Sequence, residues 1–178
     1  MDPVDQDLQT PLHLAAASGQ TEVAATLTDH GARVDALSKN FLSPASLAAR
    51  HGHIKTLKVL STNGEPLRAA LRMAAMTGDA TTARALLEFG VPADARDAGS
   101  GQSPLQRAAT LGSAEVVRLL LEHGADPNQR SQSGDTPLHH ALKPTSNPET
   151  LKALLQGGAD PALRNNAGHA PLHVAAIG

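Results

Sequence analysis

Nine histidines and seventeen carboxylates stand in this 178-residue chain, with no cysteine. Imidazole beside carboxylate is the raw material of a general base or a metal site. The spacing supplies neither. His51 and His53 lie two residues apart and His139 and His140 are adjacent, so neither pair shares a helix face. No His-Glu-X-X-His run is present, and the scattered Ser, His and Asp residues include no nucleophile elbow. Gly99-Ser100-Gly101 resembles a phosphate loop only until the Lys-Ser/Thr that should follow it fails to appear. No carboxylate pair is suggested. The expectation is a protein that is not an enzyme, with no catalytic residue, no metal and no cofactor. His30 and His123 each precede a Gly that should end a helix, where a partly positive ring suits the helix C-terminus.

What does recur is a stretch that places side chains. Thr10-Pro11-Leu12-His13-Leu14-Ala15-Ala16 returns as Ser43 to Ala49, Ser103 to Ala109, Thr136 to Leu142 and Ala170 to Ala176. A degenerate copy runs from Ala70 to Ala75. The prolines at 11, 44, 104, 137 and 171 are separated by 33, 60, 33 and 34 residues, and Ala70 divides the 60 into 26 and 34. A near-constant period of this size marks a stacked repeat. The four stretches headed by Thr or Ser also start a helix, because Thr or Ser offers an N-cap oxygen and Pro fills the first helical position, where its missing N–H costs nothing.

In the first unit the spacing predicts a helix from Pro11 to about Ser18, closed at Gly19, and a second from Thr21 to Asp29 before Gly31. Val23, Ala24 and Leu27 are expected on the buried face of that second helix. The corresponding faces are Ile54, Leu57 and Leu60; Val116, Val117, Leu120 and Leu121; and Leu151, Leu154 and Leu155. A turn or hairpin over 32–42 leads to the next cap. The units run about 1–31, 32–64, 65–90, 91–124, 125–158 and a partial 159–178, forming one domain. No pair of helices can bury its face alone, so stability must come from neighbouring units.

Composition narrows the function. Hydrophobic residues make up 40% of the chain and aromatics 1%, only Phe41 and Phe89, so Ala and Leu must pack closely stacked small helices. Net charge is −2 and the charges are interspersed, which excludes the concentrated positive field that nucleic acid or an anionic membrane requires. The N-terminus lacks a charged-then-apolar signal pattern and no run approaches 18 apolar residues. A cytoplasmic protein is expected, with a secreted effector as the alternative.

The motif Gly-X-Thr-Pro-Leu-His at the helix starts, Leu-Leu-Glu-His-Gly-Ala-Asp-Pro-Asn at 120–128 and the period together resemble ankyrin repeats over essentially the whole chain. The resemblance implies an all-α solenoid of about five and a half helix–turn–helix units with short hairpins or loops between them. It implies structural hydrogen bonds for His13, His139 and His173. It also implies that a protein partner docks on the concave face made by the first helices and the projecting fingers. Three departures stand out. The finger between units two and three is 7 residues short, with Pro66 starting a longer helix in its place. The finger after Arg96 gains a residue in Ala98-Gly99-Ser100-Gly101. Lys143-Pro144-Thr145-Ser146-Asn147-Pro148 stretches the turn inside unit five, so its first helix should stop near Leu142. The last half-unit, with Leu172, Ala175 and Ala176, lacks a polar outer face, so the expectation is a piece of a longer protein or a half-unit covered by something else.

A helical wheel with Leu12 facing the core turns Leu14, Ala17 and Ser18 outward. The outward places elsewhere include Leu47, Arg50 and His51; Met73, Met76 and Thr77; Arg107, Thr110 and Leu111; His140; and Val174. Ala69, Met73 and Met76, flanked by Arg50 and His51 on one side and Arg107 on the other, form an apolar and basic patch suited to an acidic or amphipathic segment. The fingers add Lys39, Phe41, Arg96, Arg130, Asp135 and Arg164 to the candidate partner surface. The charged residues Glu22, Lys55, Lys58, Arg84, Glu115, Arg118 and Lys152 form the solvated convex side. The expected function is a monomeric protein-interaction module. The alternatives are the targeting segment of a longer enzyme or effector, and an immunity-type inhibitor of a toxic enzyme.

Overall fold

A computed structural model describes residues 3–61, 65–96, 101–142 and 147–177. The first pair of helices is α1 (Pro11–Ala17) and α2 (Thr21–Asp29), followed by α3 (Pro44–Arg50) with α4 (Ile54–Leu60). Next come α5 (Glu65–Thr77) with α6 (Ala80–Glu88), and α7 (Pro104–Leu111) with α8 (Ala114–Glu122). The last pair is α9 (Pro137–Ala141) and α10 (Pro148–Gln156), and α11 (Pro171–Ile177) begins a sixth unit. The first helices α1, α3, α5, α7, α9 and α11 stack in one row, with the second helices behind them. Among the described residues there is no strand, and the expected hairpins are loops.

Each first helix is started as its sequence dictates. Thr10, Ser43 and Ser103 hold extended backbone and cap the N–H three residues on, with Pro in the first turn. The core is a column of leucines and alanines: Leu12, Leu57, Leu71, Leu86, Leu105, Leu120 and Leu154 are all fully buried. Each such leucine contributes about 1.5–3 kcal/mol relative to exposure. The paired alanines 15 and 16, 48 and 49, 74 and 75, and 108 and 109 are buried as well, and their small size lets the first helices approach closely.

Three assignments to the buried face need correction. Val23, Ile54 and Leu155 are exposed, at 47%, 45% and 49%. Val23 and Leu155 stand about 100° round their helices from the residue that enters the core, Ala24 or Leu154, and Ile54 is the first residue of α4, at its exposed end. Leu119, unassigned from the sequence, is buried with Leu120 because α8 is covered by both α6 and α10.

The missing finger is filled by helix. α5 has 13 residues where α1 has 7, which adds about 9 Å at 1.5 Å per residue. At this joint α6 packs on α3 as well as on α5. Part of the lengthened finger after Arg96 and of the stretched turn in unit five falls at 97–100 and 143–146, outside the described residues. α9 stops at Ala141, with Leu142 as its C-cap.

Candidate functional site

The concave surface is held by clips that tie three of the first helices, α1, α7 and α9, to the finger of the next unit. In the first clip the Thr10 backbone N–H donates to His13 Nδ1 at 3.0 Å, and His13 Nε2 lies 3.0 Å from the Leu42 carbonyl. A backbone N–H can only donate and a carbonyl only accept, so the ring is the neutral Nε2–H tautomer. Burial lowers its pKa from 6.5, outweighing the Leu42 and Ala36 carbonyls and the Asp5 charge, which act in the other direction. His139 repeats the arrangement with the Thr136 N–H at 3.1 Å and the His169 carbonyl at 3.0 Å. Gln106 performs it without an imidazole: Oε1 accepts from the Ser103 N–H at 2.9 Å, while Nε2 donates to Gln129 O at 2.8 Å and Asp135 O at 2.9 Å. In unit two the position is Ser46, whose hydroxyl reaches only Ser43 at 3.1 Å. The following unit has no finger for a longer side chain to hold. His173 does not continue the series, for it is exposed.

One column along the first helices holds Leu14, Leu47, Met73, Arg107, His140 and Val174. Leu14 is exposed at 52%, and the other five are half-buried. Between α5 and α7 a groove of about 210 Å³ is lined by Ala69, Arg72, Met73, Met76 and Arg107. It continues into one of about 370 Å³ lined by Met76, Gln102, Arg107, Thr110, Leu111 and His140. Arg107 Nη1 lies 3.9 Å from Met76 Sδ, so guanidinium and thioether form one wall. Thr110 donates its hydroxyl to Gln106 O at 2.9 Å and stands 3.3 Å from His140 Nδ1.

Arg50 and His51 are not part of this groove. Arg50 pairs with Asp79 at 2.7 Å, and Asp79 also caps α6 through Thr82. His51 stacks on His53 with ring centroids 6.1 Å apart, while His53 Nε2 lies 3.0 Å from the Ala17 carbonyl. Several finger residues are tied to the scaffold in the same way. Arg96 donates to Arg130 O at 2.9 Å and Arg164 to Gly168 O at 2.8 Å. Asp135 accepts from Asn165 at 2.8 Å and from Ser133. Burial pushes its pKa up, but those two hydrogen bonds and the fields of His140 and His139 bring it below 3.8. Lys39 and Phe41 are exposed. Among the described residues no group of three His, Asp or Glu could hold a metal ion.

The fingers hold a feature that motif matching passes over. In four of them a backbone N–H bonds the carbonyl four residues on: Asp5 to Gln9, Ser38 to Leu42, Ser131 to Asp135 and Asn165 to His169. The tip residue two places before the helix cap takes a left-handed conformation. It is Gly101, Gly134 or Gly168 in later units, but Leu8 (φ 58°) and Phe41 (φ 59°) in the first two. Aligning the residue two places before each cap would have exposed this departure from the Gly-X-Thr-Pro motif. The left-handed conformation costs a side chain about 1–2 kcal/mol, yet Leu8 is 47% and Phe41 55% exposed, so packing returns little. Phe41→Gly is therefore expected to keep stability or raise it by up to about 1 kcal/mol in urea unfolding. A loss larger than that would show that the ring packs on the fold.

Against known families the chain matches models described as ankyrin repeats in three copies over residues 1–68 and 46–131, and in many copies over 120–175. It is 30% identical over 111 residues to a transient receptor potential cation channel subfamily A member 1 homolog of Caenorhabditis elegans, covering 58% of this chain and 9% of the relative. It is 34% identical over 108 residues to the nuclear factor NF-kappa-B p105 subunit of Gallus gallus, covering 54% and 11%. With the E3 ubiquitin-protein ligase XBAT33 of Arabidopsis thaliana it shares 35% over 97 residues, covering 49% and 18%. The chain thus spans less than a fifth of each of these relatives. Among solved structures, the ankyrin repeat domain of Bcl-3, a member of the IkappaB protein family, superposes with a TM-score of 0.65 at 34% identity, covering 97% of this chain and 80% of that one.

Proposed function

Because the chain belongs to the ankyrin-repeat family, we propose that it is a protein-interaction module that docks one protein partner on its concave face and carries out no covalent step. Domains of this family generally mediate protein–protein interaction. The observation that carries the reading for this chain is the contrast along one column. Positions 12, 15 and 16 of the first helix stay Leu or Ala and buried from unit to unit, with few exceptions. The position between them changes through Leu14, Leu47, Met73, Arg107, His140 and Val174 and stays accessible. A scaffold needs the first set constant and places no demand on the second. The mechanism is rigid presentation: clips from His13, Gln106 and His139 hold the fingers, so little ordering entropy remains to be lost on binding.

The test sets two faces against each other. Leu14→Asp with Arg107→Glu alters the concave column, while Lys55→Glu with Arg118→Glu alters the exposed convex helices. In affinity capture from the source lysate, a specific partner is expected to be retained by wild type and the convex variant. The concave variant should lose it by at least about tenfold, roughly 1.4 kcal/mol. Loss with the convex variant alone would overturn the reading. A second reading, the targeting segment of a longer enzyme, draws support from the ubiquitin-protein ligase among the relatives. The parent reading frame decides it.

A further inference from the structure

We infer that the protein partner adds an extended, apolar segment to the second finger, where the chain's own third finger is missing. This rests on the concave-face reading above, of which the fingers form one edge, and names the backbone chemistry at that edge. Two pairs of fingers show what such an occupant must supply. The Lys39 N–H donates to the Asp7 carbonyl at 2.9 Å, and the Asn166 N–H donates to the Ser133 carbonyl at 3.0 Å. Counted back from the residue before each motif's proline, both acceptors stand three places away, from Thr10 and Thr136. Both donors stand four places away, from Ser43 and Ala170. Neighbouring fingers thus join by one repeated rung, in which a tip carbonyl accepts from the backbone of the next finger.

Carried one unit on, this register assigns the next rung to the carbonyl of Asn40, three places before Ser43. Its donor would belong to a third finger, and α5 stands there instead. Asn40 is exposed, and among the described residues nothing bonds its carbonyl. An extended segment of another protein can supply the N–H, as a strand added to an open sheet edge does. The side chains beside this carbonyl suit an apolar occupant. Val4 and Leu37 hold the place six before Thr10 and Ser43, Leu8 and Phe41 the place two before, and all four are exposed. The last two fingers have arginine at the first of these places and glycine at the second. Phe41 keeps its ring exposed in the left-handed conformation that later fingers give to Gly, so the fold gains little from it. An aliphatic or aromatic residue on the incoming segment would bury that ring.

The sequence supplies its own reporter, since Phe41 and Phe89 are the only phenylalanines in a chain without Tyr or Trp. The full chain is used to select binders from a random peptide phage library. The enriched peptides are then titrated into protein labelled with carbon-13 at the phenylalanine rings and backbone carbonyls. The expected result is peptides with an aliphatic or aromatic residue that shift the Phe41 ring and Asn40 carbonyl signals while Phe89 stays still. Methylating one particular peptide nitrogen should weaken binding at least about tenfold and remove the Asn40 shift, because that N–H makes the rung. Phe41→Gly, expected to be at least as stable as wild type, should also bind at least about tenfold more weakly, a loss that unfolding could not produce. An absence of enrichment, or peptides insensitive to methylation at every nitrogen, would overturn the inference. So would a Phe41 shift that grows with protein concentration in the absence of peptide, which would assign the edge to a second copy of this chain. Peptides indifferent to Phe41→Gly but lost in Leu14→Asp with Arg107→Glu would overturn it and keep the concave-face reading. Peptides indifferent to both variants would overturn both.

Discussion

Replacing Gln106 by Ala is expected to destabilise the protein by about 2–4 kcal/mol, read as a shift of the urea midpoint. The side chain is fully buried and serves three backbone groups, the Ser103 N–H and the carbonyls of Gln129 and Asp135. Alanine would strand all three. The carbonyls are only part-buried, so water recovers some of the loss and the costs do not sum. The informative companion is Gln106→His. His13 and His139 already perform this task, each with its Nε2 on the carbonyl that corresponds to Asp135 O. A histidine at 106 should restore all but about 1 kcal/mol at pH 8, the remainder reflecting the one donor it lacks for Gln129 O. If the histidine is as damaging as the alanine, the equivalence of the clips is wrong.

The same exchange in reverse sets a pH dependence. The folded-state pKa of His13 lies below its unfolded value of 6.5, so the unfolded chain binds the extra proton. The stability it contributes is complete above pH 6.5 and drains away as pH falls from there through the lowered folded value. His13→Gln should lose that part of the acid sensitivity while keeping the clip at pH 8.

The clips also show how far the sequence could be read. The period, the caps and the all-helical units were legible because each depends on a local rule: Thr or Ser before Pro, Gly after a helix, leucines three and four apart. The replacement of a finger by helix at Glu65–Thr77 was legible from Pro66 and the shortened spacing. The buried faces of the second helices were read less well. Val23 and Ile54 have the hydrophobicity of core residues, but burial depends on which neighbouring helix covers that angle, and periodicity within one helix does not contain it. The stacking of neighbouring first helices grouped Arg50 with the methionine groove, whereas a carboxylate 29 residues away, Asp79, decides where its guanidinium goes. Arg72 was not singled out, although it occupies the clip position in its unit. Leu8 escaped notice because the first finger falls before the first full motif.

Leu105→Ala is expected to cost about 3–5 kcal/mol and Leu172→Ala less than about 0.5 kcal/mol, although both residues follow the proline of the same motif. Leu105 is fully buried and Leu172 is 68% exposed. The difference extends beyond area. α7 packs on α5, α8 and α9, so a cavity at Leu105 loosens both neighbouring units, whereas α11 packs on α9. In a stacked array stability is approximately a sum of unit and interface contributions. A central deletion should therefore weaken both halves and a peripheral one should only promote local fraying. Hydrogen exchange separates the two cases. In Leu105→Ala, protection should fall through α5, α7, α8 and α9 together, while in Leu172→Ala any loss should stay within α11. If α1 and α2 keep full protection as α5 through α9 open, the two halves fold as separate cooperative blocks. The joint where α5 replaces a finger is where that division would fall, because there the first helices meet without a His or Gln clip between them.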